Sequence, residues 1–258
     1  RPRPLTLPGC FEKMMRMSSQ AKTVGVLGGM GPAATADFYQ KLIAATPAKR
    51  DQEHLKVVIV SDPHVPDRTA AIFGRGPDPT PALVAGAAVL VRAGVDFITI
   101  PCITAHHFYP ALQRAVPVPI LHMVGEAAAC VQAEQPDLRR LGLLATSGTL
   151  QARLFESQFG PRGLAILPPE PALQEASVMP AIYAVKTGGD LAAARRRIRE
   201  AAEALVAAGA QAIIAGCTEV PLILTPADLG VPLVDPTAIL ARAAVRRALL
   251  EDAPAPAG

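Results

Sequence analysis

The stretch AGVDFITIPCITA, residues 93–105, recurs as AGAQAIIAGCTEV at residues 208–220, and each copy carries a cysteine at its tenth position, Cys102 and Cys217. The likeness extends outward from these cores. VGVLGG at 24–29 lies 77 residues before Cys102, counted from Gly25, and LGLLAT at 141–146 lies 75 residues before Cys217, counted from Gly142. Downstream, Pro119 in VPVPILHM follows Cys102 by 17 residues and Pro232 in GVPLVDP follows Cys217 by 15. Near-constant offsets over so long a span indicate a duplicated α/β unit. A pseudo-two-fold axis relating the copies would set Cys102 and Cys217 facing each other across one cleft. Two thiols on opposite sides of a small substrate suit a reaction that removes a proton from one face and returns one to the other.

A chain of 258 residues suffices for one large domain or two lobes of about 100 residues each. Half of the residues are hydrophobic and 18% are charged, a globular rather than a disordered balance. The net charge is only +3, Trp is absent and aromatics make up 4%, which argues against a nucleic-acid surface; the run RRRIR at 195–199 reads as the solvated face of a helix. No apolar stretch reaches the roughly 18 residues needed to span a bilayer, so no membrane partner is expected. The first 21 residues lack a continuous apolar segment and read as a flexible extension rather than a secretory signal. The four cysteines, at 10, 102, 130 and 217, form no close-spaced framework and no CxxC motif, which favours free thiols and a cytoplasmic location.

Apolar runs alternate with longer helical patterns, the signature of parallel strands joined by crossover helices. Strands are expected at 23–28, 56–61, 96–101, 118–122, 140–145, 164–167, 211–216 and 232–234. Helices are expected at 32–46, 80–93, 104–115, 124–134, 149–159, 171–186, 189–208, 218–224 and 236–250. The fold class that follows is α/β, two pseudo-symmetric doubly wound parallel-sheet lobes with the active site between them. The first lobe is expected to comprise residues 22–123 plus 235–250 and the second 124–234, with a frayed tail at 251–258. Gly94 and Gly209 fall where helix C-terminal caps belong.

Each cysteine ends a predicted strand, where open α/β sheets bind ligands, and each is followed by a helix with Thr104 or Thr218 near its N-cap. The positive end of a helix dipole would lower a thiol pKa there. Ordinary burial is the bland alternative for a single cysteine; two at equivalent points of a repeat point to function. Cys10 and Cys130 read as incidental. GGMGPAAT at 28–35 opens a helix with backbone amides suited to a carboxylate or phosphate. Its Gly29-x-Gly31-x-x-Ala34 pattern is a weak dinucleotide match, since the acidic partner expected about 20 residues on is replaced by Asp62, 31 residues past Gly31. Arg68, in SDPHVPDRTAAI at 61–72, could hold a carboxylate in a bidentate fork or merely cap a turn. Lys186, alone after Lys56, could complement a helix dipole, supply a second cation or form a Schiff base. Glu219 could contact an ammonium group or sit at a helix N-terminus. The C-x3-H-H of Cys102, His106 and His107 matches no standard zinc spacing, so no metal is expected.

Taken together, VGVLGGMGPAAT, PDRTAAI, IPCITAHHF, IYAVKTG and AGCTEVPLIL resemble the aspartate/glutamate racemase family, most of all its aspartate racemase branch, in order and spacing from about residue 22 to 240. The resemblance implies a two-lobed fold, a homodimer, and racemisation of an acidic amino acid, aspartate or glutamate, by two cysteines and two bases without a cofactor. It implies that Cys102 and Cys217 are the catalytic thiols and that Arg68 and Lys186 hold the distal carboxylate. Met30 with Gly31 would form the first substrate loop, and Thr104 and Thr218 would lie at the α-carboxylate. Two departures stand out. The family usually has Asn directly after the first cysteine, at the substrate's head group, and this chain has Ile103, which neither donates nor accepts a hydrogen bond; His64 stands where the branch often has a polar residue that does not titrate. Alternatives are a thiol-dependent decarboxylase or cis–trans isomerase of a dicarboxylate, or a weakly active or non-catalytic carboxylate-binding relative.

Overall fold

The computed structural model describes residues 21–249. The expected extension at 1–21, apart from its last residue, and the expected tail at 251–258 lie outside the described residues. In the first half the order is β1 (Val24–Gly28), α1 (Pro32–Ala45), β2 (Val57–Ser61), α2 (Arg68–Ile72), α3 (Thr80–Arg92), β3 (Phe97–Thr99), α4 (Tyr109–Ala115) and α5 (Met123–Glu134). In the second half it is β4 (Arg140–Ala145), α6 (Ser147–Gln151), α7 (Leu154–Phe159), β5 (Ala165–Leu167), α8 (Met179–Thr187), α9 (Leu191–Ala207), β6 (Ala212–Gly216), β7 (Leu233–Val234) and α10 (Pro236–Leu249).

The strands form two sheets, β2-β1-β3 and β5-β4-β6-β7, and all their pairings are parallel. The first sheet continues past β3 as a single bridge, Ile98 to Ile120, so both halves share one strand order. The duplication is exact in register. Val24 pairs with Phe97 and Leu141 with Ala212, and Cys102 and Cys217 each lie five residues beyond those partners. The N–H of Ile98 donates to the carbonyl of Pro119 and that of Ile213 to Pro232, which confirms the two prolines as equivalent points. Gly94 and Gly209 end α3 and α9 with φ of 77° and 93°, a left-handed conformation that glycine adopts without steric cost.

The helix expected at 149–159 is split into α6 and α7 around Arg153, whose φ is 50°. The one expected at 104–115 begins as a 3-10 turn at Thr104–Phe108. Three further expected elements differ for identifiable reasons. The strand at 118–122 shrinks to one bridge because Pro117 and Pro119 bring no N–H to a ladder. Gln113 fills in, accepting from the Ile120 N–H at 2.8 Å and donating to the Val118 carbonyl at 3.0 Å. The helix expected over 171–186 is interrupted by a π-helical turn at Gln174–Val178 before α8, whose second residue is Pro180, a residue with no N–H for the preceding turn. The helix expected at 218–224 is a single 3-10 turn, Val220–Leu222, and Pro226 disfavours helical backbone at the residue before it.

One apolar cluster joins the inner faces of both sheets, with Val24, Phe38 and Phe97 packed together with Phe155, Leu141 and Ile214. Each such side chain removed from water contributes about 1.5–3 kcal/mol, enough in sum to fix the halves against each other. Helix α10 returns to pack on α1 and α5, while α5 packs on α7. The backbone N–H of Lys22 donates to the Ala248 carbonyl, tying the start of β1 to the end of α10. Among the described residues no helix is long and apolar enough to cross a membrane.

Candidate functional site

The carboxyl ends of β1, β3, β4 and β6 converge on a narrow cleft with a free volume of about 20 Å³. Of the residues singled out in the sequence, Met30, Arg68, Cys102, Ile103, Thr104, Lys186, Cys217, Thr218 and Glu219 line it. Gly31 stands just behind: a Cβ there would lie 3.4 Å from Glu219 Oε1. Both thiols are buried and free. Asp67, Thr69, Thr146 and Tyr183 also line the cleft and were not among the expected site residues. The repeat held a signal for Thr146, which ends LGLLAT as Gly29 ends VGVLGG. Tyr183 sits three residues before Lys186 on α8, hence on the same helix face.

Backbone packing shapes the first loop. Gly29 has φ of 91°, and a Cβ there would lie 2.4 Å from the backbone of Asp62, so the β1 and β2 loops approach as only glycine allows. That contact accounts for Gly29 of the weak dinucleotide pattern. Arg68 opens α2, whose N-cap is Asp67, its carboxylate accepting from the Ala70 N–H at 2.7 Å. One terminal nitrogen of Arg68, Nη1, donates to the carbonyls of Val65 and Pro66, both at 2.9 Å, and Nη2 reaches the Met30 carbonyl at 3.4 Å. Nε is buried without a partner. The guanidinium is thus anchored on one side and keeps an unpaired donor on another.

Neither threonine caps a helix through its side chain. The Thr104 hydroxyl sits 3.0 Å from Thr146 Oγ1 and 2.9 Å from Thr149 Oγ1, closing a buried triangle that joins the first half to the second. The Thr218 hydroxyl donates to Glu219 Oε2 at 3.3 Å. Ile103 is only 2% exposed and belongs to the central apolar cluster while touching the cleft. His64 lies away from the cleft, its ring 3.1 Å from Asp62 Oδ1.

The electrostatics centre on Glu219, which is 2% exposed. Its Oε1 accepts from Lys186 Nζ at 2.8 Å, and its Oε2 accepts from Cys217 Sγ at 2.9 Å. The lowered pKa expected at Cys217 is therefore not found. Burial pushes the thiol well above its ordinary value and the Glu219 carboxylate pushes it further, outweighing the attraction of Lys186. At Lys186 burial works against the charge, but the negative surroundings, with the Glu219 carboxylate at 2.8 Å, hold the amine above the ordinary lysine range. Schiff-base chemistry needs a neutral amine, so this environment disfavours that option.

His106 does not serve as a ligand or a base. Its Nδ1–H donates to the Cys102 carbonyl at 2.9 Å and its Nε2 accepts from the Met123 N–H at 3.0 Å, which fixes the neutral ring and clamps the Cys102 turn to α5. Burial, with the neighbouring His122 ring, lowers its pKa to about 4 from 6.5. A depressed folded-state pKa means the unfolded chain takes up the proton first, so the stabilisation is complete above 6.5 and is lost as pH falls toward 4. The loss expected over that window is about 3 kcal/mol. Urea unfolding across the window should show this acid limb in the native protein and a flatter one in His106→Gln; equal slopes would remove the assignment.

The fold agrees with the comparisons to known proteins. The chain belongs to the Asp/Glu/Hydantoin racemase family, whose model matches residues 27–244. It is 28% identical over 229 residues to the broad specificity amino-acid racemase RacX of Bacillus subtilis (strain 168), covering 86% of this chain and 96% of that one. Among solved structures it is similar to the Picrophilus torridus aspartate racemase, with a TM-score of 0.80 and 29% identity over 88% of this chain and 94% of the other. A Yersinia pestis structure described as a putative Asp/Glu racemase matches with a TM-score of 0.72 and 25% identity, over 89% and 100% of the two chains.

Proposed function

We propose that the protein racemises an acidic amino acid, aspartate or glutamate, using Cys102 and Cys217 as a pair of acid–base groups and no organic cofactor. The observation that carries this reading is the placement of two free thiols at register-equivalent ends of β3 and β6 on one cleft. One thiolate removes the α-hydrogen as a proton and the opposite thiol delivers a proton to the other face of the same carbon. The roles reverse for the other enantiomer. The α-hydrogen is a very weak acid, so the developing negative charge must be met by fixed positive groups in a water-poor site. Lys186 and Arg68 supply such groups at the cleft wall.

Arg68 supports a carboxylate substrate in a specific way. Its Nη1 is consumed by backbone carbonyls, and the buried Nε has no partner. A side-chain carboxylate along the Nε and Nη2 edge would satisfy that orphan donor and form a bidentate pair. Thr104, Thr218 and the backbone near Met30 are then left for the substrate's α-carboxylate. The likeness to the aspartate racemase of P. torridus makes aspartate the first substrate to test. The same proposal carries a homodimer acting in the cytoplasm.

The test is incubation of the reduced protein with L-aspartate, and separately L-glutamate, in deuterium oxide, with the α-proton followed by NMR and enantiomers by chiral chromatography. Loss of the α-proton signal together with the D-enantiomer is expected. Release of carbon dioxide, or an unchanged α-proton in the presence of bound aspartate, would replace the reading with a decarboxylase or a carboxylate-binding protein. Arg68→Ala is expected to lower kcat/KM for aspartate by about 1.5–3 kcal/mol, roughly 10–150-fold, and that for alanine far less. Equal losses for both substrates would remove the distal-carboxylate role.

A further inference from the structure

The two thiols occupy equivalent positions in the repeat, but their surroundings are not equivalent. Two residues past Cys102 stands Thr104, whose hydroxyl is held among Thr146 and Thr149. Two residues past Cys217 stands Glu219, whose carboxylate accepts directly from the Cys217 thiol at 2.9 Å. That carboxylate is buried and kept in place by Lys186 at 2.8 Å and Thr218 at 3.3 Å. A duplication that puts a hydroxyl cluster on one side and a carboxylate on the other breaks the chemical symmetry between the faces of the site.

We infer that Glu219 holds the proton on Cys217, so that of the two singly ionised forms of the free enzyme the one with Cys217 as acid and Cys102 as base is the resting form, and the two enantiomers are treated unequally. The inference rests on the two-thiol reading above. From the resting form, the Cys102 thiolate takes the α-hydrogen as a proton and the C–H electron pair stays on the α-carbon. That carbon then takes the proton from the Cys217 S–H bond on its opposite face. The protein is left with a Cys102 thiol and a Cys217 thiolate, the latter 2.9 Å from a carboxylate. Adjacent like charges make this second form the less stable one, and Lys186 offsets the repulsion only in part. A proton passing through solvent from Cys102 to Cys217 restores the resting form. Burial and the Glu219 charge both favour the protonated Cys217 of that form.

The kinetic consequence is constrained by thermodynamics. Enantiomers have equal free energy, so kcat/KM must be equal in the two directions, and asymmetry can appear only as matched differences in kcat and KM. The enantiomer whose α-hydrogen faces Cys217 must find the scarce second form. It therefore has the higher KM and, since it runs downhill to the resting form, the higher kcat by the same factor. It is identified experimentally as the enantiomer whose α-proton the Cys102→Ser protein still exchanges.

The test uses Glu219→Gln, which keeps the side-chain shape and an acceptor for Lys186 but removes the charge. The ratio of the two kcat values is expected to move about tenfold or more toward or past unity, one tenfold step for each unit by which the Cys217 pKa falls. A second readout needs no turnover: the infrared S–H stretch of the native protein near neutral pH should contain a Cys217 component, absent from Cys217→Ser and weakened in Glu219→Gln. A structural role alone would lower both kcat values together and leave their ratio unchanged, which would overturn the inference. So would equal kcat values for the enantiomers in the native enzyme, or an S–H band indifferent to Cys217→Ser. A native protein that shows the band but racemises no amino acid would instead sink the two-thiol reading, and the inference with it.

Discussion

Cys102→Ser and Cys217→Ser are each expected to abolish inversion while leaving the fold intact, with racemisation falling by about 10²–10⁴-fold, the range for loss of one positioned acid–base group. Serine keeps the shape and can still donate to Glu219 from position 217, but its hydroxyl is a far poorer proton acceptor than a thiolate. On the proposed mechanism the thiols serve opposite faces, so each single variant retains one competent side. Residual exchange of the α-proton without inversion should then survive for one enantiomer in Cys102→Ser and for the other in Cys217→Ser. Cys130 is the internal control: it sits in α5, outside the residues lining the cleft, with Arg242 Nη2 3.5 Å from its sulfur, and Cys130→Ser should racemise normally. Normal racemisation by both active-site variants would end the two-base mechanism. Loss of inversion together with all exchange in one variant would point to a single thiol performing both steps.

The features legible in the sequence were those written in local pattern or in its repetition. Strand positions followed from apolar runs, and the equivalence of Cys102 with Cys217 and of Pro119 with Pro232 followed from constant offsets that the register reproduces. What escaped was decided by contacts between distant residues. Lys186 and Glu219 are 33 residues apart, and Thr104 and Thr149 are 45 apart, so no window of sequence shows either pair as partners. The expectation at Cys217 failed for an energetic reason. A helix terminus offers about half a unit of positive charge, and here only a 3-10 turn follows the cysteine. Burial and a full carboxylate charge at 2.9 Å outweigh it. At 118–122 the apolar pattern was right about the position and wrong about the length, because prolines interrupt hydrogen bonding without interrupting hydrophobicity.

Lys186→Met is expected to have the largest effect on stability of any single change at the cleft. The pair it breaks is lopsided: the Lys186 side chain is 23% exposed and that of Glu219 only 2%. Removing the amine strands a carboxylate that cannot reach water and retains only the Cys217 thiol and the Thr218 hydroxyl as donors. Breaking a buried pair from one side costs about 3–5 kcal/mol, and partial exposure of the lysine argues for the lower end. For a chain of this size about 3 kcal/mol corresponds to a fall in Tm of about 6–12 °C. Glu219→Gln should cost less, since the lysine it leaves behind can turn to solvent. The double variant Lys186→Met with Glu219→Gln removes the stranded charge and should therefore be more stable than Lys186→Met alone. Calorimetry on the four proteins closes the cycle. Strictly additive losses would mean that the 2.8 Å contact contributes nothing as a pair. Rescue by the second substitution would establish that the carboxylate at Cys217 is kept in its buried position by Lys186, the condition on which the proposed unequal protonation of the two thiols depends.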